Sequence, residues 1–235
     1  MADIVYNYHF QLRDGSEKRF DVQLDEKTLG VVQPAPAAPP AWTRLSCCQC
    51  PHCPLEESEQ PHCPIAVNLV DLAEFFGDAP SYGEVDVQLA TDERQYTKHT
   101  TVQQALSSLL GIYMVTSGCP IMDKLRPMVR FHLPFATREE TMYRVVAMYL
   151  MAQYFRQRND LEPDWEMENL ALMYEDVTKV NRSFVDRLNQ IATDDASANA
   201  LIILDCFANY IVMAVDEGTL ADIEVLFKAY LDERI

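Results

Sequence analysis

From Ile4 to Leu24, apolar and polar residues alternate: Tyr6, Tyr8, Phe10 and Leu12 recur at every second position, and Phe20, Val22 and Leu24 resume the pattern. Asp14-Gly15 supplies a turn between the two runs, so the spacing predicts a β-hairpin with a packed aromatic face. His9 falls on the opposite, solvated face. Val85, Val87 and Leu89 alternate in the same way. A turn over Ala90 to Glu93 and a return over Gln95 to Lys98 predict a second, weaker hairpin near residues 84–98, and two hairpins can form one antiparallel sheet. His99 is expected in a polar loop just beyond it.

The other period is helical. Ile65, Leu69, Leu72 and Phe76 predict a short amphipathic helix stopped by Gly77. Thr101 with Gln104 forms a capping-box pattern ahead of Leu106, Leu109, Leu110 and Tyr113, with Gly118 as the stop, and Thr137 with Glu140 forms a second. The helix after Thr137 carries Val145, Val146, Met148, Tyr149, Leu150 and Met151, apolar nearly all round, and is expected to be central and buried. Met167, Leu170, Tyr174, Val177, Asn181, Phe184, Leu188 and Ile191 alternate spacings of three and four, the seam of one long packed helix, with Asn181 as a register-fixing polar residue.

Leu201 to Val215 is apolar apart from Asp205 and Asn209 and is expected to be a core helix, too short and too polar at its centre for a membrane span. Asp205 then needs a cationic or hydrogen-bonding partner, and Cys206 is expected to be buried. Thr219 caps a last amphipathic helix through Leu220, Ile223, Phe227 and Leu231. No internal repeat is present.

These elements predict an α+β protein, one or two antiparallel hairpins packed on a mainly helical domain. The expected organisation is an N-terminal hairpin over residues 1–31, a stiff Pro/Ala-rich linker over 32–42, a Cys-rich metal-binding loop over 43–64, and a mainly helical domain over 65–235. Trp42 is a candidate hydrophobic anchor for the loop.

Ser46 to Pro64, SCCQCPHCPLEESEQPHCP, holds five of the seven cysteines and two of the five histidines, a composition no hydrophobic core needs. An odd cysteine count in a chain of 235 residues without a secretory pattern at Met1-Ala2-Asp3-Ile4 argues against a disulfide scaffold and for metal binding in a cytoplasmic protein. Cys50-Pro51-His52-Cys53 is a two-residue-spaced pair of the kind structural zinc uses, and Cys63 is a third ligand. The fourth lies among Cys47, Cys48, His62 and the distant Cys119.

Cys63-Pro64 and Cys119-Pro120 share a device: each Pro opens a run with helical periodicity and places its Cys at the N-cap, where helix amides favour a thiolate. The preferred set is therefore Cys50, Cys53, Cys63 and Cys119, holding one zinc ion. An iron-sulfur cluster of the 4Fe-4S type is the alternative, because Cys47, Cys50 and Cys53 follow Cys-x2-Cys-x2-Cys and Cys63 precedes a Pro. The interval from Cys53 to Cys63 exceeds that of the bacterial ferredoxin run.

A formal net charge of −17 repels nucleic acid and anionic lipid, so neither is an expected partner; the charge serves solubility in the first instance, with an acidic face for a basic protein partner as the alternative. Thr116 to Arg144 stands out by gathering Lys124, Arg126, Arg130, Arg138 and Arg144 with Cys119 and His132. These cations either pair with the many carboxylates of the C-terminal helices or hold an anionic substrate beside a reactive Cys119, a cysteine-dependent enzyme positioned by Arg126, Arg130 or Arg144. Cys119 to Arg126 leaves six intervening residues, where cysteine phosphatase chemistry needs five. No Gly-rich phosphate loop, dinucleotide fingerprint, His-Glu-x-x-His or Gly-x-Ser-x-Gly occurs, and no catalytic residue is assigned. The expected role is an interaction or regulatory module built on structural zinc.

With the Cys50-Pro51-His52-Cys53 and Cys63-Pro64 motifs, this stretch resembles a bacterial protein family of no assigned function, over most of the chain. The resemblance implies a bacterial source and no activity.

Overall fold

The computed structural model describes residues 3–32, 36–191, 194–216 and 220–232. Its chain divides into two compact units, one of residues 1–135 with 179–205 and the other of 136–178 with 206–235. The first hairpin, the cysteine segment and the second hairpin thus share a unit, and the helical stretch is divided between two. Part of the Pro/Ala-rich linker (Gln33 to Ala35) and the expected cap Thr219 lie outside the described residues.

The fold is α+β. In the first unit β1 (Ile4–Leu12) pairs antiparallel with β2 (Glu17–Leu24), and β3 (Glu84–Ala90) with β4 (Gln95–Thr101). The hairpins join through β1 and β3, with Tyr8 opposite Leu89, giving one four-stranded sheet in the order β2-β1-β3-β4. Period-two alternation sends Tyr8, Phe10, Phe20, Val22, Val87 and Leu89 to the buried face. Phe76 stacks on Phe20 and meets Phe10 edge-on. His99 is in β4 rather than a loop, its Nδ1 2.8 Å from Asp86 Oδ1 across the strand pair, because the return strand runs three residues beyond Lys98.

The predicted helix after Cys63 is two: α1 (Pro64–Asn68) and α2 (Val70–Phe76), broken where Leu69 leaves helical geometry. α3 (Val102–Thr116) packs under the second hairpin with Leu106, Leu109 and Leu110 fully buried. Its capping box is absent: the Thr101 side chain makes no cap bond, and Gln104 instead accepts from Thr100 Oγ1. A 3-10 helix (Met122–Leu125) and α4 (Arg126–Arg130) follow. Tyr8 ties this stretch to the sheet through its hydroxyl, 2.8 Å from both Ser108 Oγ and His132 Nε2, so His132 is a half-buried, hydrogen-bonded histidine.

α5 (Arg138–Arg158), in the second unit, has the second capping box as predicted, with Glu140 N donating to Thr137 Oγ1 and Thr137 N to Glu140 Oε2. It is not buried all round: Val145, Val146 and Tyr149 are covered while Tyr143, Met151 and Phe155 are exposed. Tyr149 donates to Asp164 at 2.6 Å and fixes the loop that leads to α6 (Glu168–Leu188). In α6 the predicted seam is buried at Leu170, Tyr174, Val177, Asn181, Phe184 and Leu188, while Met167 and Ile191 lie beyond the helix ends.

α7 (Ala196–Asp216) contains a window, Ala196–Val215, that is long and apolar enough to cross a membrane, with mean hydropathy 1.8 and a third of its residues buried. The expectation of a segment too short for that is corrected. Arg182 Nε lies 3.5 Å from Asp205 Oδ2, and Cys206 is exposed rather than buried. The last predicted helix is broken into α8 (Ala221–Glu224), a 3-10 turn (Val225–Phe227) and α9 (Lys228–Leu231).

Candidate functional site

The cysteine loop closes at a neck. Leu45 N donates to Pro61 O at 2.9 Å, Cys63 N to Thr43 O at 2.8 Å, and Arg44 bridges His62 between them. Thr43 and Leu45 are fully buried, so the two ends of the loop are anchored in the first unit's core. Trp42 enters through a 3-10 helix (Ala41–Thr43). Inside the loop, Cys53 N donates to Cys50 O at 3.0 Å, closing a turn that carries the Cys50 and Cys53 side chains. Gln49 Nε2 donates to Leu55 O, and Ser46 Oγ to Glu57 Oε1.

The outer side of the neck is held by α6, which the sequence did not connect to the cysteines. Arg187, only 1% exposed, donates from Nη1 to Trp42 O at 2.6 Å and Arg44 O at 2.8 Å, and from Nη2 to Leu45 O at 3.5 Å. One turn earlier the Ser183 hydroxyl bonds the Cys50 sulfur, and one turn later Gln190 reaches Cys47 and Cys48. Ser183 and Arg187 share a face of α6, and Gln190 follows in the turn just after it. A polar stripe beside the apolar seam was the available signal, and solvation is its ordinary meaning.

The thiols fall into two groups. Cys50 is pushed up to about 11, chiefly by burial, against the Ser183 hydroxyl, which lowers it, and with Cys63, Cys53 and Cys119 adding to the rise. Burial also raises Cys63, against the Ala66 amide, the Arg187 charge and the Ile65 amide, with Cys53 adding to the rise. Cys119, buried at 7% exposure, is raised by burial and by Cys63 and Cys53, while the amides of Met122 and Ile121 favour its thiolate. Cys53, Cys63 and Cys119 are therefore near enough to Cys50 to act on it electrostatically, although 68 residues of sequence lie between Cys50 and Cys119.

Both Cys-Pro devices deliver amides to a sulfur. Cys63 is the N-cap of α1 with Pro64 at its start, whereas Cys119 precedes a turn and a 3-10 helix rather than an α-helix. Cys48 is raised by burial and by its neighbour Cys47, with Arg187 opposing. His62 Nδ1 is engaged by Thr43 Oγ1 at 2.7 Å. Among the described residues, no group of three or more His, Cys, Asp or Glu side chains is placed to hold a metal ion.

The cationic stretch is dispersed. Arg126 pairs with Asp123 at 2.6 Å and donates to Thr28 O, Arg130 lies over the Phe131 ring, and Arg138 and Arg144 belong to the other unit. Arg138 there faces the Tyr210 ring.

A family model described as Domain of unknown function (DUF6901) matches residues 4–228. No curated protein and no solved structure matches the chain.

Proposed function

The chain belongs to the DUF6901 family, and from its own residues we propose that it is a zinc-binding protein whose metal clamps the cysteine loop onto α1 and the turn after α3. The observation that carries this is the turn closed by Cys53 N and Cys50 O, with Cys63 at the start of α1 and Cys50, Cys63 and Cys119 each acted on by neighbouring thiols. Four thiolates and nothing softer or harder are the donor set of a closed structural zinc site, in which the sulfurs are drawn to about 2.3 Å from the ion. Such a centre carries a charge of about −2, the sum of ion and ligands. Burying that charge needs compensation, which comes from the Arg187 guanidinium acting on Cys63 and from the amides of Ile65, Ala66, Ile121 and Met122 at the Cys63 and Cys119 sulfurs.

In this reading the zinc ion organises the loop. The role is an interaction or regulatory module in a reducing, cytoplasmic setting, and the chain's acidity favours a basic protein partner. The test is metal and acid-labile sulfide content of protein purified without oxygen. One zinc per chain with no sulfide supports the proposal; iron with sulfide favours a cluster and returns Cys47 to the ligand set; neither metal overturns both.

A further inference from the structure

We propose that Cys47 and Cys48 form a second site, separate from the four-thiol group, that takes one copper(I) ion between their two sulfurs. The pair shares no sulfur with the zinc site, so the inference goes beyond it. Cys48 has φ +52°, a left-handed conformation uncommon for a residue with a Cβ, and both side chains converge on one carboxamide. Cys47 Sγ donates to Gln190 Oε1 at 3.4 Å, Gln190 Nε2 donates to Cys48 Sγ at 2.8 Å, and the two thiols hydrogen-bond to each other. Both are partly exposed, so the site is open to an incoming ion.

Three chemistries compete for two converging thiols. A disulfide is disfavoured, because adjacent Cα atoms are about 3.8 Å apart and unstrained disulfides need about 4.4 Å or more. Zinc and other tetrahedral ions require further ligands, and the group that both sulfurs meet here is the neutral Gln190 carboxamide rather than a further thiol, imidazole or carboxylate. Copper(I) is soft, selects thiolates, and is satisfied by two of them. On binding, each thiol gives its proton to solvent and its sulfur lone pair to the ion, so uptake releases two protons, transfers no electron, and displaces the neutral Gln190 head. The resulting anion lies beside the buried Arg187 charge, which acts on Cys48, while Asp186 opposes it.

The test uses the full-length chain purified without oxygen, with its zinc content measured first. Copper(I) is then supplied as its acetonitrile complex in competition with bicinchoninate, with released zinc followed by a chromogenic chelator. The expected result is one copper(I) per chain and no zinc released. Cys47→Ser and Cys48→Ser should each keep the parental zinc content and melting temperature yet bind copper(I) about 100-fold more weakly, the low end of what a second tethered ligand contributes. Gln190→Ala should bind at least as tightly as the parent. Copper(I) affinity unchanged in both serine variants, or copper entering only as zinc leaves, overturns the proposal. Should the protein carry no zinc, the comparison stays decisive: the double serine variant must take up one equivalent fewer than the parent.

Discussion

Arg187 Nη1 donates to the backbone oxygen of Trp42 at 2.6 Å from a side chain that is 1% exposed. Among the described residues no carboxylate pairs with this buried guanidinium; its partners are three carbonyls at the neck of the cysteine loop and the Phe184 ring. A buried cation without a paired anion is costly, and the proposed thiolate centre, whose Cys63 this charge acts on, would be its counter-charge.

Replacing Arg187 tests that coupling. Arg187→Met leaves the Trp42 and Arg44 carbonyls buried without their donor, and the expected cost is roughly 3 kcal/mol in chemical denaturation, with faster zinc loss to a chelator. Arg187→Lys keeps the charge but not the planar fork, so it should fall between the two. A methionine variant with parental zinc-release kinetics would separate Arg187 from the centre.

The thiols give a pH dependence. Cys50 titrates near 11 in the metal-free fold against about 9 for an ordinary thiol, so the folded chain holds that proton more tightly than the unfolded one. Its stabilisation is fully present below pH 9 and is lost as pH rises towards 11. The metal-free protein should therefore weaken across that window, measured by urea midpoint. The zinc-loaded protein should not, because its sulfurs are already deprotonated and ligated.

The acid side rests on different groups. The Ser81 amide donates to Asp195 Oδ1 at 2.8 Å and holds that carboxyl below its usual value, with help from the Ser81 hydroxyl and Asn199. A depressed carboxyl stabilises above the unfolded value near 4 and ceases to as pH falls through the folded one. Asp195→Asn should lose stability at neutral pH and show a shallower acid transition below about pH 4.

Two capping boxes were visible in the sequence and one forms. Thr137→Ala should cost about 1 kcal/mol, whereas Thr101→Ala should be close to neutral, since Thr101 Oγ1 is buried without a hydrogen-bond partner. Thermal melts of the two variants compare them directly.

Those boxes illustrate what was legible. Periodicity read the hairpins correctly because aromatic residues recur at spacing two with Asp14-Gly15 between them, and it read the α6 seam because Leu170 to Leu188 keep one buried stripe. It misjudged α5, where apolar residues all round suggested a central helix although Met151 and Phe155 are exposed. Composition cannot say how many partners a helix finds. Thr101 failed as a cap because Thr100, one residue earlier, captured Gln104.

At the candidate site the cysteine spacing exposed the local turn of Cys50 and Cys53. The Cys-Pro device is what pointed to Cys119, far away in sequence. Arg187 was not legible: an arginine beside an apolar seam ordinarily snorkels to water, and only the tertiary approach of the loop neck converts it into a buried donor.

The most direct test of the central claim is X-ray absorption at the zinc edge, on the parent and on Cys119→Ser. Four sulfur scatterers at about 2.3 Å in the parent, falling to three with one lighter neighbour in the variant, are the predicted result. A parent shell containing nitrogen, or a variant spectrum identical to the parent's, would contradict the assignment of Cys119 and with it the four-thiol centre.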